Sequence, residues 1–277
     1  MRIAYLGPPG TFSEEAVGRC DLAGPEASVP CASFAEAYEL ALRGEVDGAL
    51  LPIENSLEGA VGTVNDLLVH RPGLHIRREV LLPVRQHLLA AAGTRLEDVT
   101  RVLSHPQPFG QCAAFLRSRL PGAALEATHS TADAARQVAA GLPGAAAIGS
   151  LAAARLHGLA VIAEAIQDSD DNTTRFVLVT RGDEGRTGAD KTSFAFTLDR
   201  DRPGGLYEVL GEFAARGINL SRIESRPLKQ ALGHYVFFID FEGHRTDPAG
   251  AAALEGVRAI VHELHLFGSY PRGAAGA

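Results

Sequence analysis

The sequence predicts an α/β region followed by a smaller α+β domain of βαββαβ order, and three observations carry that prediction. Short apolar runs alternate with helical patterns up to about residue 180, which is the wiring of open α/β sheets. The stretch Thr180 to Asp190 is then polar and glycine-rich, without a large apolar side chain. Beyond it, Phe194, Phe196 and Leu198 alternate with Ser193, Ala195 and Thr197, the two-residue period of a half-buried strand. A chain of 277 residues is also long for one core. The expected division is therefore 1–180, a linker at 181–189, and 190–277.

Taken in order, residues 3–6 read as the first strand, 13–20 and 33–43 as helices, and 48–51 as the next strand. Further strands are expected at 80–82, 86–91, 101–103, 145–148 and 177–179, with helices at 110–119 and 132–140. Periodicity leaves open whether these strands share one sheet or two. After the linker comes a strand at 191–198, then a helix whose Leu206, Val209, Leu210, Phe213 and Ala214 fall on one face. Pro203 stands near its start and Gly217 where it should stop. Strands at 218–224 and 234–241 joined by a turn around Gly233, a helix at 249–260 and a strand at 262–267 complete a ferredoxin-like order. The tail 271–277 is expected to fray.

Composition narrows the function classes. Apolar residues at 46% and charged residues at 21% fit a globular protein in water. Nothing approaches the roughly 18 uncharged apolar residues of a membrane helix, and the apolar start is too short for an export signal, so a cytoplasmic protein with no membrane partner is expected. A net charge of −7 without a Lys/Arg cluster argues against nucleic acid. Cys20, Cys31 and Cys112 lack C-x-x-C spacing and read as reduced thiols. His262-Glu263-Leu264-His265 has two intervening residues where H-E-x-x-H has three, in a strand-like stretch, so no metal site is expected.

The chemistry-bearing segments are loops that open helices. Gly7-Pro8-Pro9-Gly10-Thr11 precedes a helix for which Thr11 and Glu14 fit a capping box, and its amides can face an anion. Similar junctions occur at Asn55-Ser56, Thr63 with Asp66, Ser104-His105-Pro106, and Ser130-Thr131 with Asp133. Each can simply cap its own helix; several facing one cleft would suit a ligand with more than one carboxylate. The densest cluster is Asp168-Ser169-Asp170-Asp171-Asn172-Thr173-Thr174-Arg175-Phe176. There Arg175 can grip a carboxylate at two points or close a polar turn by pairing with an aspartate, and Thr173 and Thr174 add hydroxyls.

These motifs together resemble the prephenate dehydratase family. The resemblance rests on Tyr5-Leu6-Gly7-Pro8, Gly10-Thr11-Phe12, Pro52-Ile53-Glu54-Asn55-Ser56, His105-Pro106-Gln107 and Asn172-Thr173-Thr174-Arg175-Phe176. The second region resembles the ACT regulatory module through Arg202-Pro203-Gly204-Gly205-Leu206, Gly217-Ile218-Asn219-Leu220 and Glu224-Ser225-Arg226-Pro227. Gly205 departs from the family's usual alanine, and a small effect on effector affinity is expected. Nothing precedes the first motif, so no fused chorismate mutase is expected.

The resemblance implies two catalytic lobes similar to periplasmic binding proteins and a cofactor-free conversion of prephenate to phenylpyruvate with loss of CO2 and water. It implies Thr174 as donor to the departing hydroxyl and Arg175 as the shaper of an anionic site. Thr11, Asn55, Ser56, His105 and Thr173 would meet the substrate, with Phe176 packing behind. Because a threonine hydroxyl is a poor acid, protonation of the leaving group would need a relay through water, His105 or Glu54. L-phenylalanine would act as allosteric effector at Gly204, Gly205, Leu206, Asn219, Leu220, Ser221 and Glu224, between subunits of a homodimer or homotetramer. Arogenate dehydratase and a non-catalytic amino-acid or anion sensor are the alternatives.

Overall fold

Alternation of side chains along a central strand puts two different layers on the two faces of the first sheet, and that alternation organises the protein. The computed structural model describes residues 1–22, 28–198, 203–228 and 235–273. The chain opens with β1 (Ile3–Leu6), α1 (Phe12–Arg19), β2 (Ser28–Cys31), α2 (Phe34–Arg43), β3 (Gly48–Asn55), the short β4 (Gly59–Ala60), α3 (Gly62–His70) and β5 (His75–Pro83). It crosses into a second lobe made of β6 (His87–Ala90), β7 (Arg101–Ser104), α4 (Pro106–Gln111), α5 (Ala113–Arg119), β8 (Ala124–Ala127), α6 (Thr131–Ala139), β9 (Ala145–Gly149), α7 (Leu151–His157) and β10 (Ala160–Ala163). It then returns as β11 (Thr173–Thr180) into the first sheet.

The strands form separate sheets, β2-β1-β3-β11-β5 with β4 beside β3, and β10-β6-β9-β7-β8. This settles the question that periodicity leaves open: there are two α/β lobes, crossed twice by the chain. In lobe two, α4 and α5 cover one face through Cys112, Leu116 and Leu120. On the other face α6 and α7 pack through Ala134, Ala135, Val138, Ala153 and Ala154.

The helix expected at 110–119 is two helices. Cys112 sits at φ −119°, ψ 20°, outside the helical well, and the Asp168 carboxylate accepts the Ala114 N–H at 3.1 Å, capping a fresh helix start. The Thr11–Glu14 capping box does not form either. Glu14 reaches past Thr11 to accept from Gly10 N–H at 2.7 Å and from the Tyr5 hydroxyl at 3.1 Å, while the Thr11 hydroxyl donates to Leu6 O at 3.4 Å.

The C-terminal region follows the expected order: β12 (Asp190–Thr197), α8 (Gly205–Ala214), β13 (Leu220–Pro227), β14 (Tyr235–Glu242), α9 (Pro248–Arg258) and β15 (Glu263–Pro271). Its antiparallel sheet runs β13-β14-β12-β15, with α8 and α9 on one face around Phe194, Phe196, Phe213 and Phe241. Arg202, the turn at Gly233 and the tail 274–277 lie outside the described residues. Among those described, no helix is long and apolar enough to cross a membrane.

The opposite face of this sheet is buried against lobe one. Ala195, Val236, Phe238, Phe267 and Tyr270 share one apolar core with Leu68, Val69, Leu74, Ile76, Val177 and Val179. At Gly268, φ +145°, the two backbones come so close that a Cβ would lie 2.5 Å from Ile76 O. The segment expected as a linker is pinned as well. Glu184 receives 2.7 Å bonds from both Arg77 and Arg78 of β5, and Asp183 pairs with Arg245.

Candidate active site

A cavity of about 290 Å³ lies between the lobes, lined by Phe12, Asn55, Val84, Gln86, His105, Gln107, Pro108, Gln111, His129, Ser130, Thr131, Asn172 and Thr174. Ser150, the buried N-cap of α7, links the lobes nearby by donating to Gly10 O at 2.9 Å.

Thr174 and Asn55 face each other as a cross-strand pair of β11 and β3. The orientation of the Asn55 amide is fixed from its far side, where Oδ1 accepts the N–H groups of Leu57 at 2.9 Å and Glu58 at 3.0 Å. Its Nδ2 must then point toward Asn172 Oδ1, 2.7 Å away, and Thr174 Oγ1, 2.9 Å away. Thr174 is therefore the acceptor in that bond, and its own hydroxyl proton is left for the cleft. Ser56, one residue further, is spent on structure: it donates to Asp171 O at 2.6 Å and accepts from Thr173 N–H at 2.9 Å.

The N-termini of α1 and α6 reach the cavity at Phe12 and at Ser130-Thr131, and α4 adds His105 and Gln107. Ser130 caps α6 by accepting Asp133 N–H at 3.0 Å, and His105 Nδ1 accepts Gln107 N–H at 3.4 Å. Among the described residues, none that lines this cavity is Lys, Arg, Asp or Glu. Anion recognition here falls to helix N-termini, amides, hydroxyls and two histidines.

The structure therefore gathers Asn55, His105 and Thr174 and separates others. Thr11 and Thr173 do not line this cavity. Phe176 points to the same side of β11 as Thr174 but lies in the lobe-one core with Tyr5, Leu50 and Val80. Arg175 requires the largest correction. Side chains alternate along a strand, so with Thr174 in the cleft Arg175 projects through the opposite face, toward the C-terminal sheet. The carboxylates it binds are the protein's own: Glu79 at 2.5 Å, Asp240 at 2.6 Å and Glu54 at 3.0 Å, with the Tyr270 hydroxyl at 2.8 Å. Its side chain is 6% exposed. Burial works against its charge, yet Tyr270, Asp240, Glu79 and Glu54 hold its pKa above the ordinary arginine value. Glu54, paired with Arg175 across β3 and β11, is turned the same way and does not line the cavity.

Gln86, Gln111 and His129 are cleft residues without a motif of their own, and Asn172 is one to which the motif containing it assigns no role. Gln86, in the crossing that precedes β6, donates to Gln111 at the end of α4 at 3.2 Å; isolated glutamines carry no sequence signal. Asn172 does, since it stands in the polar cluster two residues before Thr174 on a strand period.

Of the residues expected to hold an effector, Gly204 takes φ +85° at the start of α8, and Leu206 and Leu220 pack on the same helix-side core. Glu224 is turned away, toward lobe one, where it meets Asn65 at 3.3 Å and Arg222 at 2.5 Å. A register shift between Leu220 and Arg222 puts these residues on different faces of β13.

Comparison with known proteins adds the following. The family model for prephenate dehydratase matches residues 3–184, and that for the ACT domain residues 196–259. Prephenate dehydratase of Mycobacterium bovis is 42% identical, covering 100% of this chain and 89% of its own. Arogenate dehydratase 2 of Petunia hybrida is 43% identical, over 98% of this chain and 72% of its own. A crystal structure of prephenate dehydratase from Arthrobacter aurescens in complex with L-Phe superposes with a TM-score of 0.91 at 41% identity, covering 100% of this chain and 93% of that one.

Proposed function

Since the chain belongs to the prephenate dehydratase family, carries its ACT domain and converts prephenate to phenylpyruvate with loss of CO2 and water, we propose that Thr174 assists the departing hydroxyl in the cleft between the lobes. One observation carries this reading: the Asn55 amide occupies the Thr174 oxygen as acceptor, so the hydroxyl proton is directed to substrate. As the bond from the ring to its carboxylate breaks, the electron pair enters the ring, the ring becomes aromatic, and hydroxide leaves with a proton. Thr174 stabilises the charge that develops on that oxygen, and His105, on the cavity wall, hands on the proton directly or through water. Helix N-termini hold the dianion without a cation clamped on the ring carboxylate, which would oppose its loss.

Asn55→Asp tests the orientation argument with almost no change of shape. A carboxylate can only accept, so the Thr174 proton turns toward the new side chain and away from substrate. We expect kcat to fall about 10²-fold, with a much smaller change in KM. Wild-type kcat in this variant would remove the Asn55–Thr174 pair from the mechanism.

The cavity wall also orders the substrates. Arogenate carries an ammonium where prephenate carries a ketone, and no carboxylate among the lining residues receives it. Assays following phenylpyruvate from prephenate and phenylalanine from arogenate should give kcat/KM about tenfold or more in favour of prephenate. Preference for arogenate reverses this order of substrates.

We further propose a cytoplasmic homodimer or homotetramer that binds phenylalanine around Gly204, Gly205, Leu206, Asn219, Leu220 and Ser221. Among the described residues no strand pairs with the outer edge of β13, and Tyr207, Ile223 and Tyr235 are exposed, which supports it, since an open strand edge with apolar neighbours calls for a partner.

A further inference from the structure

The two cross-strand pairs at the mouth of β3 and β11 stand back to back. Asn55 and Thr174 face the cleft, and Glu54 and Arg175, their immediate neighbours in sequence, face the ACT domain. Lobe one meets only part of the Arg175 guanidinium: Glu54 accepts from Nη1, and Glu79 stands beside Nε as a charge partner without a hydrogen bond. The rest is held by the ACT domain, with Asp240 of β14 at 2.6 Å and the Tyr270 hydroxyl of β15 at 2.8 Å. Asp240 is itself fixed, accepting from Ser193 at 2.5 Å, and its side chain is 2% exposed. Glu54 is gripped from the same domain by Arg222 of β13 at 3.4 Å. Both members of the outer pair thus depend on the ACT sheet, and rigid peptide units join them to the inner pair.

We propose that Asp240 is a positioning residue for the dehydration: through Arg175 it sets the β3–β11 pair whose other face presents Asn55 and Thr174. The ACT domain is then part of the catalytic strand's support, and a shift of β14 against lobe one is felt at the reacting hydroxyl without passing through lobe two. This rests on the reading of Thr174 as the catalytic hydroxyl, and the test separates the two.

Asp240→Asn in the full chain should lower kcat about tenfold with KM within about twofold. In the Thr174→Ala background the same substitution should cost less than about twofold, because the group it positions is gone. An Asp240→Asn enzyme with kcat within about twofold of wild type overturns the proposal, as does an equal loss in both backgrounds, which marks a merely structural effect. Should Asp240→Asn not fold, Tyr270→Phe removes a single hydroxyl from the same guanidinium. A drop in kcat of about threefold that disappears in the Thr174→Ala background supports the proposal, and unchanged kcat overturns it. Wild-type turnover in Thr174→Ala itself sinks the Thr174 reading and the proposal together, whereas the other adverse outcomes sink the proposal alone.

Discussion

Thr174→Ala is expected to fold like the parent and to lose about 10²–10³-fold in kcat, the range typical of deleting one transition-state donor. Substrate binding changes less, since the hydroxyl acts on an oxygen that carries charge only as it leaves. Asn55 Nδ2 keeps its 2.7 Å bond to Asn172, so the local scaffold survives the change. Steady-state kinetics with thermal unfolding separates the effects, and Thr174→Ser, which restores the hydroxyl, should recover much of the rate. Near-normal turnover in the alanine variant would take Thr174 out of the mechanism.

Arg175→Ala has the largest expected effect on stability. It leaves Glu54, Glu79 and Asp240 converging on a buried space from which their shared cation has gone. Breaking such a buried pair costs about 3–5 kcal/mol, or roughly 10 °C in melting temperature for a protein of this size. Arg175→Lys keeps the charge but not the planar fork that reaches four partners, and should fall between the two. KM for prephenate is not the quantity that moves, because the guanidinium does not line the cleft.

The stability defect should also depend on pH. Burial favours neutral Asp240, but Arg175, Arg222 and the Ser193 hydroxyl outweigh it and hold its pKa below the usual carboxylate value. A depressed carboxyl contributes its stability above the unfolded value, about 3.9, and loses it as pH falls through the folded one. The gap in melting temperature between wild type and Arg175→Ala should therefore be widest near neutral pH and narrow below about pH 4. A gap that stays constant or widens in acid would contradict the ion-pair account.

Much of this was readable from residues alone, for identifiable reasons. The phenylalanines at 194 and 196 announce a half-buried strand because a period of two has no other simple cause. The helix-opening caps at His105 and Ser130 are local chemistry, legible wherever they sit in space, whereas Asn55 opens no helix: it ends β3 and leads into β4. What one residue's neighbours cannot disclose is the direction in which a side chain leaves its strand. Thr174 and Arg175 are adjacent, so they cannot both enter the cleft, and the strand run from Thr173 to Thr180 already contains that restriction. Two partners of Arg175, Asp240 and Tyr270, are 65 and 95 residues away, beyond the reach of any local pattern. The pinned linker is similar: its composition speaks of a boundary, but Glu184 meets Arg77 107 residues back in the chain.

The apolar core shared by lobe one and the ACT sheet bears on how such proteins diversify. A regulatory module is often pictured as a cassette that one gene lends to another. Here the inner surface of the cassette carries Val236, Phe238, Lys191, Asp240 and Tyr270, whose complements Val177, Val179, Glu79 and Arg175 lie in the enzyme. A transplant that brought a foreign module without these counterparts would strand an arginine and expose an apolar sheet face. Changes on either side of this seam therefore have to be matched on the other, whereas lobe two, a continuous segment between β5 and β11 with its own sheet, stands outside the seam and is tied instead to the residues it shares around the cleft.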